Sequence, residues 1–305
     1  MSATESNPPI KRIAVVWDFD GTLSPEDSTT KTIKYLEEEG VEPGLFWKRI
    51  KAIRGDQYLK EWEHILASDA PIWMYALSRL AFRRGVPLNT EFFREFILPE
   101  IRLFPSAIEM LRAIKDLTHE PEFRALNLQV HHFIVSAGLK DLIQLVLPDE
   151  LVTWTFGCRY EVMTRGGPDT SPPESIPVFC MDETVKTRSI FEISKGSFSD
   201  ESKPVNARVP NSDLWVPFEN IIYVGDGPTD IPALSLVRDK GGMGVAVFDE
   251  EKDLKKTKQR LEDLRLGKRA DLITPAKFEL DAPLHKFLKA RCIQIRQRYE
   301  AEVVG

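Results

Sequence analysis

The chain has little cysteine and no long apolar stretch, and each of these absences excludes some classes of protein. Its 305 residues include three cysteines, Cys158, Cys180 and Cys292, which are widely spaced and form no CxxC pair. A scattered, odd-numbered set argues against a disulfide framework or a zinc site, so we expect three small buried side chains. No apolar run approaches the length of a membrane-spanning helix, and no membrane partner is predicted.

A basic excess is also missing. Lysine and arginine number 41 against 47 aspartates and glutamates, which gives a formal net charge of −6 and no global positive field to attract nucleic acid. Residues 1–9 are polar and contain proline, unlike a secretion signal, and residues 1–11 are expected to be a disordered tail. We therefore predict a soluble, cytoplasmic protein and leave its oligomeric state open.

What the sequence does contain is an alternation of short apolar runs with helical patterns. The runs 13–17, 129–135 and 221–224 are typical of buried strands, and a turn or a helix start follows each of them. This alternation predicts an α/β fold built on a doubly wound parallel sheet. In such sheets, ligands bind beyond the carboxyl ends of the strands.

Two carboxylates follow the first of these strands. Asp18 and Asp20 belong to the segment 18–22 (DFDGT) and point the same way from the strand end. Burying two like charges together is costly unless something neutralises them, and a divalent cation with oxygen ligands is the simplest answer. Gly21 then allows the backbone to turn sharply away. The segment therefore predicts a metal site.

A small hydroxyl follows the second strand. Ser136, Ala137 and Gly138 come directly after the run 129–135, and a helical pattern begins at Leu139. A serine hydroxyl and the free N–H groups of a strand-to-helix turn form an anion site. The segment predicts a place for a phosphate group.

The last two segments supply a cation and further carboxylates. Lys186 opens a predicted amphipathic helix, and Lys195 and Arg188 are its rivals for the same role. The segment 225–230 (GDGPTD) follows the third strand, and the glycines on both sides of its first aspartate indicate a tight loop. Its last residue, Asp230, also fits an ordinary helix N-cap.

These segments resemble, in chain order, the four motifs of the haloacid dehalogenase (HAD) superfamily, and 225–230 resembles the motif of its phosphoserine-phosphatase-like members. The resemblance implies a Rossmann-like core in residues 12–23 and 104–302 with an inserted helical C1-type cap in 24–103. The cap segment is rich in aromatic side chains, which we expect to form the core of a small helical bundle.

The resemblance further implies a magnesium-dependent phosphatase that acts on a small phosphomonoester through an aspartyl-phosphate. The catalytic residues would be the nucleophile Asp18, the acid and base Asp20, Ser136 and Lys186. The phosphate would be bound by Asp18, Thr22, Ser136, Ala137, Gly138 and Lys186. Four aspartates would form the Mg²⁺ site: Asp18, Asp20 through its backbone carbonyl, Asp226, and Asp230 as a partner of a metal-bound water or of Lys186.

Several alternatives stay open. A dehalogenase is not expected, because a halide leaving group needs no proton and this chain has Asp20 to supply one. A phosphomutase or phosphotransferase would use the same core. A catalytically silent HAD domain could act as a binding module, and a phosphatase could act on protein. Glu26, Asp27 and Arg54 are candidate substrate contacts, and the loops 164–177 and 195–213 match no motif.

Overall fold

A single sheet organises the computed structural model, which describes residues 9–37, 43–54, 69–163, 172–200, 202–252, 267 and 269–304. Its strands in these ranges are β1 (Lys11–Trp17), β2 (Leu128–Leu139), β3 (Val152–Met163), β4 (Glu174–Phe179), β5 (Ile221–Gly225), β6 (Met243–Phe248) and β7 (Leu272–Pro275). They lie in the order β4-β3-β2-β1-β5-β6-β7, and all neighbours are parallel except β3 and β4. The predicted doubly wound α/β sheet is confirmed.

Helices precede or follow most strands. Between β1 and β2 the described helices are α1 (Ser28–Leu36), α2 (Pro43–Arg54), α3 (Ala70–Arg83) and α4 (Thr90–Phe92), which continues as a π-helical turn over Phe93–Ile97, followed by α5 (Ala107–Asp116) and α6 (Pro121–Ala125). After β2 come α7 (Lys140–Val146), α8 (Glu183–Lys195), α9 (Ile231–Asp239) and α10 (Pro283–Val304). Within these ranges, no helix has the length and apolar content needed to cross a membrane.

Strand β1 is the centre of the sheet and is buried on both faces. Ala14 and Val16 pack in one hydrophobic cluster with α8 and α9, while Ile13, Val15 and Trp17 pack in another with α5 and α10. A strand covered on both sides must be apolar throughout, which explains the uninterrupted run in the sequence. Each buried valine or isoleucine side chain of β1 contributes about 1.5–3 kcal/mol by burial, so the strand and the residue after it are held firmly.

The helices between β1 and β2 pack on the β3–β4 hairpin as well as on each other. The hydroxyl of Tyr160 on β3 donates to the carbonyl of Met74 on α3 at 2.7 Å, and Ser175 on β4 accepts from the N–H of Leu88 at 2.9 Å. These bonds join the helical segment to the sheet edge. The proposed division into a core (12–23 and 104–302) and a cap (24–103) stays a prediction.

The aromatic side chains of this segment are buried only in part, and their role as the core of a small helical bundle stays a prediction. Trp73 and Phe93 belong to the first hydrophobic cluster, whereas Tyr75 is exposed. Tyr58 and Trp62 lie outside the described residues, as does the side chain of Arg54.

The structure corrects the sequence-based boundaries in two places. Strand β2 runs on to Leu139, because that residue still pairs with Cys158 across a register shift, so Ser136 opens no turn. Strand β4 ends before Cys180, which is only partly buried and departs from the expected core position. Residues 1–8 of the predicted tail and the hairpin tip at 164–171 lie outside the described residues.

A buried histidine, His132, forms a hydrogen bond with the last residue of β1. The indole N–H of Trp17 donates to Nδ1 of His132 at 3.0 Å, and Nε2–H of His132 donates to the carbonyl of Leu111 at 2.8 Å. Both bonds require the neutral imidazole with its proton on Nε2. Burial lowers the pKa of His132 to about 4.

This pairing makes part of the stability depend on pH. In the unfolded chain His132 takes up its proton near pH 6.5, whereas in the folded chain it does so only near pH 4. The contribution of neutral His132 to folding stability is therefore complete above pH 6.5 and is lost as the pH falls towards 4. Between pH 7 and 5 we expect His132 to account for about 2 kcal/mol of lost unfolding free energy. Urea denaturation at both pH values should show a smaller loss for His132→Gln than for the wild type; equal losses would contradict the assignment.

Candidate active site

The site is built around Asp18, the first residue after β1. Its N–H donates to the carbonyl of Val224 on β5 at 2.9 Å, which fixes it where the strand order reverses. Oδ1 accepts from the N–H of Phe19 at 2.7 Å, and Oδ2 lies 3.0 Å from Nζ of Lys186. The carboxylate is almost fully buried. It is therefore held in one orientation at the position where doubly wound sheets bind ligands.

Lys186 joins two carboxylates in the interior. Asp182 caps α8 by accepting from the N–H groups of Thr184 and Val185, and this places Lys186 in the first turn. Its Nζ lies 3.0 Å from Asp18 and 2.7 Å from Asp230. Burial alone would lower the pKa of Lys186, but the two carboxylates raise it above its ordinary value. The side chain is fully buried and stays charged.

The rival cations lie elsewhere. Lys195 donates to the carbonyls of Val205 and Ala207, and these hydrogen bonds hold the polar segment after α8 against the helix end. Arg188 is exposed and pairs with Glu192 on its own helix at 2.8 Å. Of the three, only Lys186 reaches the carboxylates of Asp18 and Asp230.

Asp230 uses both of its oxygens within the protein. Oδ1 accepts from Lys186 and from the hydroxyl of Tyr223, both at 2.7 Å, and Oδ2 accepts from the N–H of Gly227 at 2.9 Å. Although Asp230 occupies the N-cap position of α9, its side chain makes no capping bond to that helix. Its carboxylate therefore positions Lys186 and the 225–230 loop.

Three carboxylates form a group that fits a metal ion. Asp18, Asp226 and Asp230 each place one oxygen within 4.8 Å of the other two. Burial, together with the charges of Asp230 and Asp226, raises the pKa of Asp18 to about 7 despite the opposing effect of Lys186. This donor set of hard oxygens with excess negative charge suits Mg²⁺. The carboxylate of Asp20 is not part of the group.

Asp20 instead faces the start of α1. Its Oδ1 accepts from the N–H of Ser28 at 2.9 Å, and its Oδ2 lies 3.0 Å from the hydroxyl of Ser28. Burial and then the charge of Asp27 raise the pKa of Asp20 well above its usual range, against the opposing bonds from Ser28. A serine hydroxyl can donate to an ionised carboxylate or accept from a protonated one. The contact can therefore persist in both protonation states.

The Ser136 segment reaches the same site from β2. Ser136 is buried, and its Oγ accepts from the N–H of Gly138 at 3.1 Å. Ser136 and Ala137 line one cavity with Asp18, Asp20, Lys186 and Asp226. Thr22 and Gly138 do not line that cavity: Thr22 is fully buried, and the N–H of Gly138 donates to Ser136.

Among the residues of the site that sequence reasoning missed are Ser28, Tyr223, Trp47 and Trp73. The tryptophans, on α2 and α3, lie along the cavity. Ser28 has only its position at a helix start as a signal, and Tyr223 resembles any other residue of an apolar strand. The spacing of aromatic residues in the sequence could not show whether a tryptophan lines a cavity or packs in the core of a helical bundle.

Position 21 requires glycine for two reasons: its backbone has a positive φ, and the side chain of Asp226 lies too close for a Cβ atom. It has φ of +80°, and a Cβ at this position would lie 2.6 Å from Cγ of Asp226. Gly85 has a similar φ of +68°, but a Cβ there would have open space. Substitutions at the two glycines can therefore distinguish the effect of backbone strain from the effect of displacing Asp226.

Alanine at each glycine provides a matched test. Both Gly21→Ala and Gly85→Ala should lose about 1–2 kcal/mol of unfolding free energy from the left-handed backbone. Only Gly21→Ala should also lose the rise in melting temperature that we expect Mg²⁺ to produce in the wild type, because it displaces Asp226. Thermal melts with and without Mg²⁺ measure this, and a wild-type rise in Gly21→Ala would disprove the role of Asp226.

Comparisons with known proteins agree with this fold. No family model matches the chain. An uncharacterized protein of Borreliella burgdorferi is 26% identical over 235 residues, which cover 74% of this chain and 78% of that one. The structure of a probable phosphoserine phosphatase from Vibrio cholerae, in its unliganded form, is similar with a TM-score of 0.51 and 13% identity, covering 94% of this chain and 67% of that one.

A HAD family hydrolase from Salmonella enterica serovar Typhi also matches, with a TM-score of 0.47 and 17% identity over 83% of this chain. The chain spans 66% of that protein's length. The likeness to the Vibrio structure shows a shared fold. The chain therefore shares the α/β fold of that probable phosphoserine phosphatase, in agreement with the fold class predicted from the sequence.

Proposed function

We propose that this protein is a magnesium-dependent phosphatase that hydrolyses a small phosphomonoester through an aspartyl-phosphate on Asp18. The observation that carries the proposal is the convergence of Asp18, Asp20, Ser136 and Lys186 on one cavity at the carboxyl ends of β1 and β2. A nucleophile, a proton donor, a hydroxyl and a cation are the groups that phosphoryl transfer requires.

In the first step, a carboxylate oxygen of Asp18 attacks phosphorus and forms an acyl phosphate while the bond to the ester oxygen breaks. Asp20 gives its proton to the departing alkoxide. In the second step, Asp20 takes a proton from water, whose oxygen attacks phosphorus and releases inorganic phosphate and the Asp18 carboxylate. The raised pKa of Asp20 suits the first of these roles, because the group must carry a proton before the ester is cleaved.

Lys186 and Ser136 are assigned to the phosphoryl oxygens. Lys186 lies 3.0 Å from the nucleophile, so a phosphoryl group on Asp18 comes within reach of its charge. Positive charge fixed beside the transferring group stabilises the negative charge that the transition state spreads over its oxygens. Asp230 and Tyr223 keep the lysine in place.

Mg²⁺ would be held by the carboxylates of Asp18 and Asp226 and by the backbone carbonyl of Asp20, with Asp230 ordering the surroundings. When bound, it would neutralise the excess acidity of the site and polarise the phosphoryl group. The cavity has a volume of about 210 Å³, less than the roughly 300–1,000 Å³ usual for ligand sites. The volume favours a small phosphorylated substrate over a phosphoprotein.

The nucleophile is tested by Asp18→Asn, which keeps the shape and removes the attacking oxygen. Hydrolysis of p-nitrophenyl phosphate with Mg²⁺ should fall to background while circular dichroism and melting show a folded protein. Asp141→Asn neutralises an aspartate outside the cavity and should retain the activity. Substantial turnover by Asp18→Asn would exclude the assigned role, and no activity in the wild type would favour the binding-module reading.

The proton donor is tested by the leaving group. Asp20→Asn should slow alkyl phosphates, whose alkoxide needs a proton, by roughly 10²–10⁴-fold. A nitrophenyl ester should lose less in the first step, since nitrophenolate leaves without a proton. Rapid-quench measurements should then show a burst, because the second step lacks its base. Equal losses for both esters without a burst would indicate a structural Asp20.

A further inference from the structure

We propose that this protein has a second, non-catalytic ligand site, which binds an aromatic phosphate monoester of the size of a nucleoside monophosphate. The site is a cavity of about 380 Å³ at the β3–β4 edge of the sheet, called here the edge pocket. Residues of β3, β4, α7, α8 and the segment after α8 form its walls. Among the described residues, none lines both this pocket and the catalytic cavity, so the inference does not depend on the proposed phosphatase function.

Aromatic rings form much of the wall of the edge pocket. They belong to Trp154 and Phe156 of β3, Phe179 of β4 and Phe198 after α8. The ring centroids of Trp154 and Phe198 lie 5.9 Å apart. Trp154 and Phe179 each keep 37% of their surface exposed, although such large apolar side chains are usually buried. A planar ring bound against them would remove this apolar surface from water.

Two cations line the same pocket. Nζ of Lys140 lies 4.7 Å from the centroid of the Trp154 ring, and no carboxylate of the described ranges forms an ion pair with it. Arg159 contacts Glu161 at 3.5 Å, but both of these side chains are largely exposed, so the pair is weak. The pKa of Lys140 is lowered by burial and then by the charge of Arg159, against the opposing charge of Asp141. The two cations therefore repel each other, and an anion bound beside both would relieve that repulsion.

The other polar groups of the edge pocket also fit an anion. Its carboxylate, Glu192, already accepts from Nε of Arg188 at 2.8 Å, so that negative charge is paired. Ser197 has a buried hydroxyl oxygen without a hydrogen-bond partner in the part of the chain that the structure describes. Leaving a buried hydroxyl unpaired is costly, and an oxygen of a ligand would satisfy it. Two cations and a hydroxyl suit the doubly charged phosphate group better than a singly charged carboxylate.

The size of the edge pocket limits the ligand further. Its volume of about 380 Å³ lies near the lower end of the roughly 300–1,000 Å³ usual for ligand sites. One ring system with one phosphate group fits such a volume, whereas a dinucleotide would be too large. Rings, charges and volume thus point to the same class of ligand.

AMP and three compounds that each lack one of its features test this class. Isothermal titration calorimetry with the wild type, in EDTA so that no metal-dependent reaction consumes the ligand, compares AMP with adenosine, ribose 5-phosphate and indole-3-acetate. Adenosine lacks the charge, ribose 5-phosphate lacks the ring, and indole-3-acetate has a ring with a single charge. AMP should bind at least about 10-fold more tightly than each of them, the usual effect of one charge-assisted hydrogen bond or one stacked ring.

Variants with one charge removed locate the binding site. Lys140→Gln and Arg159→Gln should each raise the Kd of AMP by about 10-fold or more. Arg112→Gln is the matched control, because this arginine is also half-exposed and paired with a glutamate but lines neither cavity. It should leave the Kd unchanged. Circular dichroism confirms that each variant is folded.

Each contrary result has a definite meaning. If AMP binds Lys140→Gln and Arg159→Gln as tightly as the wild type, it occupies another site and the proposal is wrong. The ligand class is wrong if ribose 5-phosphate or indole-3-acetate binds as tightly as AMP, and the site itself is refuted if AMP does not bind. None of these results affects the proposed phosphatase function, which is tested through Asp18 and Asp20 in the other cavity.

Discussion

The contact of buried Lys186 with Asp18 and Asp230 is the interaction on which the site depends. It joins the end of β1, the first turn of α8 and the loop after β5, which are far apart in sequence. A fully buried ammonium is tolerated only when carboxylates surround it, and removing one partner of such a group costs about 3–5 kcal/mol. The same contact therefore orients the proposed nucleophile and holds three elements of the fold together.

The site nevertheless keeps more negative charge than Lys186 can neutralise. Asp18, Asp226 and Asp230 crowd around one point, and the pKa of Asp18 rises to about 7 because burial and its neighbours oppose ionisation. A nucleophilic carboxylate must be ionised, so the arrangement favours a bound cation that stabilises the charged form. Folding without a cation thus leaves repulsion in place, and binding one relieves it.

Much of the fold was predictable because its central strands are buried on both faces. Strands buried on both faces appear in the sequence as the apolar runs 13–17 and 221–224. Asp18 and the 225–230 loop follow these runs directly, so their positions were predictable too. The contacts made by Ser28 and Tyr223 left no such pattern in the sequence, since each depends on a partner brought close only by the complete fold. The extension of β2 through Ser136 was missed for the same reason: its pairing with β3 is a long-range contact.

The start of α1 places two acidic groups of the cavity under one constraint. Ser28, at its first turn, holds both oxygens of Asp20, and the preceding Asp27 caps the helix while lining the cavity. Consecutive residues of one helix terminus therefore position the proposed proton donor and a charge that acts on it. Burial and the charge of Asp27 raise the pKa of Asp20, so its carboxyl group resists ionisation, as the proposed role of an acid requires.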